Sequence, residues 1–156
     1  MQTERRSLLK KLAASFVGIL GLGLATKANT NSKPEKEVFN TVNDQEIPLF
    51  SMATKFGGMV FIAGIGAHVE PFEIKAHTEI VLAGLEKELI KAGSSMEKVL
   101  KVTVYLNDIN DYIGMNEVYR GRFGKNPPVR STIAVAKGGV PGNSLVEMDC
   151  IAIAAS

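Results

Sequence analysis

The stretch Val99–Val135, VLKVTVYLNDINDYIGMNEVYRGRFGKNPPVRSTIAV, decides the fold. Its first eight residues, Val99 to Leu106, are β-branched and apolar and predict a central strand. Asn107-Asp108 closes that strand. Residues 110–123 place Tyr112, Met115, Val118, Tyr119 and Phe123 on one side of a helix, with Gly124 just past its end. Asn126-Pro127-Pro128 makes a rigid turn. Val129 to Val135 follows as another strand.

Upstream, residues 72–92 carry Ile74, Ile80, Val81, Leu85, Leu89 and Ile90 at spacings dominated by three, four and seven. That is an amphipathic helix, ended by Ala92-Gly93. Ser94 to Glu97 can start a brief helical turn. Further upstream, Ser51–Phe56, Gly57-Gly58 and Met59–Ala63 read as strand, tight turn, strand. Val38–Val42 alternates and ends in Asn43-Asp44, which predicts a first strand by the same rule. Downstream, the loose loop 138–143 leads to a last strand over Ser144–Ala154. The order is βββαβαββ, without a repeat at a solenoid period. A mixed sheet with two helices on one face, an α+β fold, satisfies this order. Met59–Ala63, Val99–Leu106 and Ile151–Ala154 are nearly continuous apolar runs, which predicts burial on both faces. Two helices on one side cannot cover both, so self-association is expected to cover the second.

The chain has 156 residues, 46% hydrophobic and 22% charged, the size and composition of one folded domain. Cys150 is its single cysteine, which excludes a disulfide framework and a thiolate zinc cage. Residues 1–28 have a basic head (Arg5, Arg6, Lys10, Lys11), an apolar run from Leu12 to Ala25, and small residues after it. This is the layout of an export signal. The run has 14 residues, against ~20 for a membrane span. Arg5-Arg6-Ser7-Leu8-Leu9-Lys10 further resembles the twin-arginine type, although Glu4 is atypical before the pair. The expected organisation is a signal over 1–28, a flexible polar leader over 29–37 and one domain over 38–156, with a periplasmic or exported product and no lasting membrane insertion. Residues 1–28 hold five of the 18 basic and one of the 16 acidic groups, so the remainder has 13 against 15, a balance of −2. No basic cluster is left to neutralise several phosphates, and no nucleic-acid partner is expected.

Few residues outside the last third suggest chemistry. Cys150 sits in a strand pattern and reads as a small buried hydrophobe. His68 and His77 lack metal-ligand spacing, and the nearby Glu70, Glu73 and Glu79 read as a solvated acidic surface, so no metal is expected. Gly64-Ile65-Gly66 is not a dinucleotide fingerprint, because Val69 stands where the third glycine belongs. The run Pro127 to Ile133, by contrast, puts Arg130 into an apolar strand directly after a rigid turn. Glu147 and Asp149 enter the final strand on one face, with Met148 on the other. A charge there is costly to bury alone. Either Arg130 pairs with Glu147 or Asp149, or it waits for an anionic ligand.

These residues also carry a family resemblance. Pro128-Val129-Arg130-Ser131, a spacer and Val146-Glu147-Met148 resemble the signature of the RidA/YjgF family. Phe50-Ser51-Met52-Ala53 with Gly57 to Gly64 is similar to its Tyr-Ser-Gln-Ala and Gly-Asn-Leu-Val-Phe-Val-Ser-Gly segments. Val102 to Tyr112, with Asn116, Tyr119 and Phe123, resembles its TVYLxDxxDFxxxNxxYxxFF stretch. The likeness covers about residues 38–155. It implies a chorismate-mutase-like fold, a homotrimer with ligand clefts between subunits, and hydrolysis of reactive enamines and imines to 2-oxo acids and ammonia without metal or organic cofactor. On this resemblance Arg130 holds the substrate carboxylate, Glu147 positions the attacking water, and Asn116 lines the pocket. Three pocket positions depart from the pattern. Phe50 replaces a tyrosine, Ala63 a serine, and Thr132 a frequent cysteine. The lost hydroxyls point to more apolar imines, to weak catalysis, or to a trimer that binds small carboxylates without turnover.

Overall fold

The computed structural model describes residues 33, 35–44 and 46–155. The strands are β1 (Glu37–Thr41), β2 (Ser51–Phe56), β3 (Met59–Gly66), β4 (Val99–Leu106), β5 (Val129–Ala134) and β6 (Val146–Ile153). The helices are α1 (Ile74–Lys91) and α2 (Tyr112–Tyr119), in the expected order βββαβαββ. The sheet order is β1-β2-β3-β6-β4-β5, and only β4 and β5 run parallel. This is the mixed α+β sheet expected from the sequence.

Both helices pack on one face. Val60, Ile62, Val102, Val104, Leu106, Val146, Met148, Cys150 and Ala152 point into that layer, where they meet Val81, Leu82, Leu85, Leu89 and Met115. Burying one such aliphatic side chain contributes roughly 1.5–3 kcal/mol, so the layer is the main stabiliser. The strands alternate about it: Val60 is 0% exposed, whereas its neighbours Met59 and Phe61 are 41% and 37% exposed. Residues that read as buried on both faces are thus covered on one face only within a single chain.

The turns follow their glycines. Gly57 and Gly58 both have positive φ, 57° and 81°, the pair a two-residue hairpin of this twist requires. At the end of α1, Gly93 has φ 74°, its N–H bonds Ile90, and the N–H of Ser94 bonds Leu89. The two bonds close the last turn as a left-handed cap.

Differences from expectation lie at the ends of elements. β3 runs to Gly66 rather than Ala63, because a bulge between Ile62 and Ile65 lets pairing with β6 resume. Residues 110–123 are not one helix. A 3-10 turn over Ile109–Asp111 precedes α2, and Arg120 at ψ 128° leaves helical geometry before Gly121 at φ 81°. The apolar spacing continues to Phe123, which is 2% exposed, but packing places it there from a turn. β6 begins at Val146 because Ser144 is withdrawn into the interior, accepting from the Ala67 N–H and donating to the Val146 carbonyl.

Candidate functional site

Pairing register decides which side of the sheet each candidate residue occupies. Val102 on β4 stands opposite Cys150 on β6 and Arg130 on β5. Val102 and Cys150 are buried beneath the helices, so Arg130 emerges on the helix side at the sheet edge. Thr132, opposite the buried Val104, emerges on the same side. Glu147 and Asp149 lie between the buried Val146, Met148 and Cys150 and therefore emerge on the open face. The predicted separation of Glu147 and Asp149 from Met148 is observed.

The ion pair of Arg130 with Glu147 or Asp149 is consequently not formed; the sheet stands between them. Asp149 instead accepts from the Tyr105 hydroxyl at 3.0 Å. That bond, with burial and the Asp149 charge, raises the tyrosine pKa. Among the described residues Arg130 has no carboxylate partner. Its guanidinium carbon lies 4.6 Å above the Tyr119 ring and 5.8 Å from the Tyr112 ring. A guanidinium nitrogen donates to the Tyr112 hydroxyl at 3.3 Å. Stacking on an aromatic face is worth ~0.5–2 kcal/mol and fixes the plane of the fork.

Tyr112, Asn116 and Tyr119 are spaced i, i+4 and i+7 on α2, so one stripe of that helix fronts Arg130. Asn116 is half-buried within it. Burial pushes the Tyr119 phenol up to about 12, against the opposing effect of the Arg130 cation, so it stays neutral. Its hydroxyl and that of Thr132 are both buried without a hydrogen-bond partner. Tyr112 and Tyr119 read from the sequence as the apolar side of a helix. Their placement next to the arginine depends on β5 pairing with β4, which spacing alone does not reveal.

Glu147 has its own surroundings on the open face. The bulge sets two residues, Ala63 and Gly64, opposite the single Asp149. The Glu147 carboxylate lies over Gly64, where any Cβ would collide with its Oε1. Ala63 is half-buried there, and Phe50, just ahead of β2, is 52% exposed and on this side by alternation. The candidates therefore form two groups within one chain: Arg130, Asn116 and Thr132 on the helix side, and Glu147, Ala63 and Phe50 on the open side. A depression of about 360 Å³ lined by Glu97, Phe123, Gly124, Lys125 and Asn126 includes none of them.

The remaining titratable candidates are structural. Cys150 is 1% exposed, and burial pushes its thiol up to about 12. His77 is fully buried; its Nδ1 accepts from the Leu145 N–H at 3.1 Å, so its Nε2 donates to the Val69 carbonyl at 3.0 Å. Both nitrogens are thereby used in holding loops to α1. Glu70, Glu73 and Glu79 are exposed, as expected for a solvated surface. Among the described residues no group of three His, Cys, Asp or Glu gathers as a metal site.

A family model described as "Endoribonuclease L-PSP" matches residues 44–154. The chain belongs to the RidA/YjgF (L-PSP) family. A RutC family protein of Pyrococcus horikoshii is 39% identical over 124 residues, which cover 75% of this chain and 97% of that protein. The chloroplastic Reactive Intermediate Deaminase A of Arabidopsis thaliana is 32% identical over 129 residues, covering 78% of this chain and 67% of that one. Among solved structures, a member of the YjgF/YER057c/UK114 family from Mycobacterium tuberculosis has a TM-score of 0.65 at 28% identity, over 76% of this chain and 99% of that one. The family match over residues 44–154 thus spans both groups of candidate residues and omits residues 1–43.

Proposed function

We propose that the protein hydrolyses reactive enamine and imine acids of the 2-iminopropanoate and 2-iminobutanoate class to 2-oxo acids and ammonia. The single observation that carries this is Arg130, a half-buried, stacked guanidinium without a carboxylate partner among the described residues. Such a cation costs stability unless an anion completes it, and its planar fork fits a carboxylate. The name of the Arabidopsis relative, a deaminase of reactive intermediates, supports the same reading.

In this scheme Arg130 binds the substrate carboxylate and Asn116 and Thr132 line that end. Glu147 holds a water against the imine carbon. The water oxygen bonds to carbon as the C=N π pair moves to nitrogen, giving a carbinolamine. Proton transfer to nitrogen and C–N cleavage then release ammonia and leave the 2-oxo acid. Imines hydrolyse unaided, so positioning supplies most of the acceleration. No metal or organic cofactor takes part. Since the sheet separates Arg130 from Glu147 in one chain, the scheme needs a second copy. We propose a homotrimer in which the open face of one subunit brings Glu147, Ala63 and Phe50 to the Arg130 side of its neighbour.

The test is a coupled assay with imines generated by an amino-acid oxidase, on wild type, Arg130→Ala and Glu147→Ala. Turnover that falls at least about 100-fold in both variants supports the deaminase. Arg130-dependent binding of a 2-oxo acid without turnover above background supports instead the non-catalytic carboxylate binder, which the missing hydroxyls at Phe50 and Ala63 favour. The balance of −2 outside residues 1–28 gives the nuclease wording of the family model no electrostatic support. The signal over residues 1–28 lies outside the described residues, and export to the periplasm remains part of this proposal. Among the described residues no helix is long and apolar enough to cross a membrane. N-terminal sequencing of the protein from a periplasmic fraction checks the export step, and recovery of intact Met1 from the cytoplasm would overturn it.

A further inference from the structure

Arg130 is held from two directions, and the two contacts differ in kind. The Tyr119 ring beneath it is buried and its hydroxyl faces the interior, so it acts only as a platform. Tyr112 is 40% exposed and meets the guanidinium through its oxygen. A phenol that accepts from an arginine keeps its own proton for donation. Arg130 has five N–H groups, and the Tyr112 oxygen takes one of them. The remaining fork and the Tyr112 O–H therefore lie side by side at the same exposed edge, a neutral donor next to cationic ones. No carboxylate among the described residues is hydrogen-bonded to either group.

We propose that Tyr112 is a specificity-determining residue of the Arg130 subsite: it fixes the guanidinium and donates its own O–H to the acid that the arginine binds. This deepens the deaminase reading and rests on it. A ligand with two adjacent acceptor groups, a carboxylate beside a C=O or C=N, uses the full row of donors. A simple monocarboxylate uses only part of it. Tyr112 thus selects 2-oxo and 2-imino acids over acids such as butanoate. The acceptor beside the carboxylate is the C=N that the Glu147-held water attacks, and its nitrogen takes up the π pair. The contact therefore acts in binding and in the chemical step, and its loss lowers kcat/KM.

Tyr112→Phe removes only the oxygen and keeps the ring. The experiment is calorimetric titration of the full-length protein with 2-oxobutanoate and with butanoate, on wild type, Tyr112→Phe, Arg130→Ala and the double variant, beside steady-state kinetics on an imine. Tyr112→Phe is expected to weaken 2-oxobutanoate roughly tenfold and butanoate by much less. On the imine kcat/KM falls by at least the same factor, and the effect disappears in the Arg130→Ala background. Unchanged 2-oxobutanoate affinity in Tyr112→Phe, with binding lost in Arg130→Ala, overturns the role of Tyr112 and leaves the deaminase reading intact. An equal loss with and without Arg130, or an equal loss for both ligands, also overturns it. Unchanged affinity in Arg130→Ala overturns the subsite itself, and both proposals with it.

Discussion

At the scale of single residues, burial and partners decide what each candidate can do. Cys150 shows how far an environment can silence a reactive group. With its pKa raised to about 12 by burial and by the neighbouring Asp149 charge, its thiolate fraction at pH 8 is on the order of 10⁻⁴. A thiol reagent such as 5,5′-dithiobis(2-nitrobenzoate) is expected to leave Cys150 unmodified in the native protein and to titrate one thiol after denaturation. Rapid native labelling would contradict the buried placement. Glu88 shows the opposite balance. Burial disfavours its charge, but Lys91 at 2.7 Å and Asn40 at 2.5 Å more than offset that, and its pKa falls below the ordinary 4.5. A carboxylate with a depressed folded-state pKa stabilises the fold fully above the unfolded value and loses that contribution as pH falls through the folded one. Unfolding free energy is therefore expected to decline below about pH 4.5, with a shallower decline in Glu88→Gln. Denaturant titrations between pH 6 and 3 measure both slopes.

Elements position these residues, and their ends matter more than their middles. α1 presents Val81, Leu82, Leu85 and Leu89 to the sheet, all fully buried. Leu85→Ala is expected to cost about 2–5 kcal/mol, read as a lower denaturation midpoint at constant m-value. The bulge of β3 has a finer effect. Gly64→Ala places a methyl where the Glu147 carboxylate lies, and the carboxylate, being the far end of a flexible side chain, moves aside. The expected outcome is a stability change within about 1 kcal/mol together with a loss of imine turnover approaching that of Glu147→Ala. A large stability loss with turnover retained would show that Glu147 is not held there for catalysis. At this scale the sequence was most legible where periodicity and glycine agree, as in α1 with its Gly93 cap and in the Gly57-Gly58 hairpin. It was least legible in residues 110–123, where one apolar stripe continues from a helix into a turn. The register that seats Phe123 in the core is the same whether its backbone is helical or not, so spacing cannot separate the two.

The whole molecule raises the question of the uncovered face. Phe56, Met59, Ile133 and Ile153 are each 41–49% exposed on it, and Glu147 stands among them. In the proposed trimer every cleft takes Arg130 from one subunit and Glu147 from the next. Co-assembling Arg130→Ala with Glu147→Ala chains is then expected to restore about a quarter of the sites, because random mixing pairs an intact arginine with an intact glutamate that often. The measurement is turnover of the co-expressed pair against each variant alone. No recovery, or a monomer by light scattering at micromolar concentration, would remove the shared cleft.

The sequence by itself determined the element order, the helix-facing core, the opposite facing of Met148 and its two acidic neighbours, and family membership, because all of these follow from local spacing and motif. Only the tertiary structure decided that Arg130 and Glu147 lie on opposite sides of the sheet and that two tyrosines attend the arginine. The physical reason is strand pairing: a side chain's face is set by the register of β5 on β4 and of β4 on β6, and that register is a contact between distant segments that the spacing within each strand does not specify.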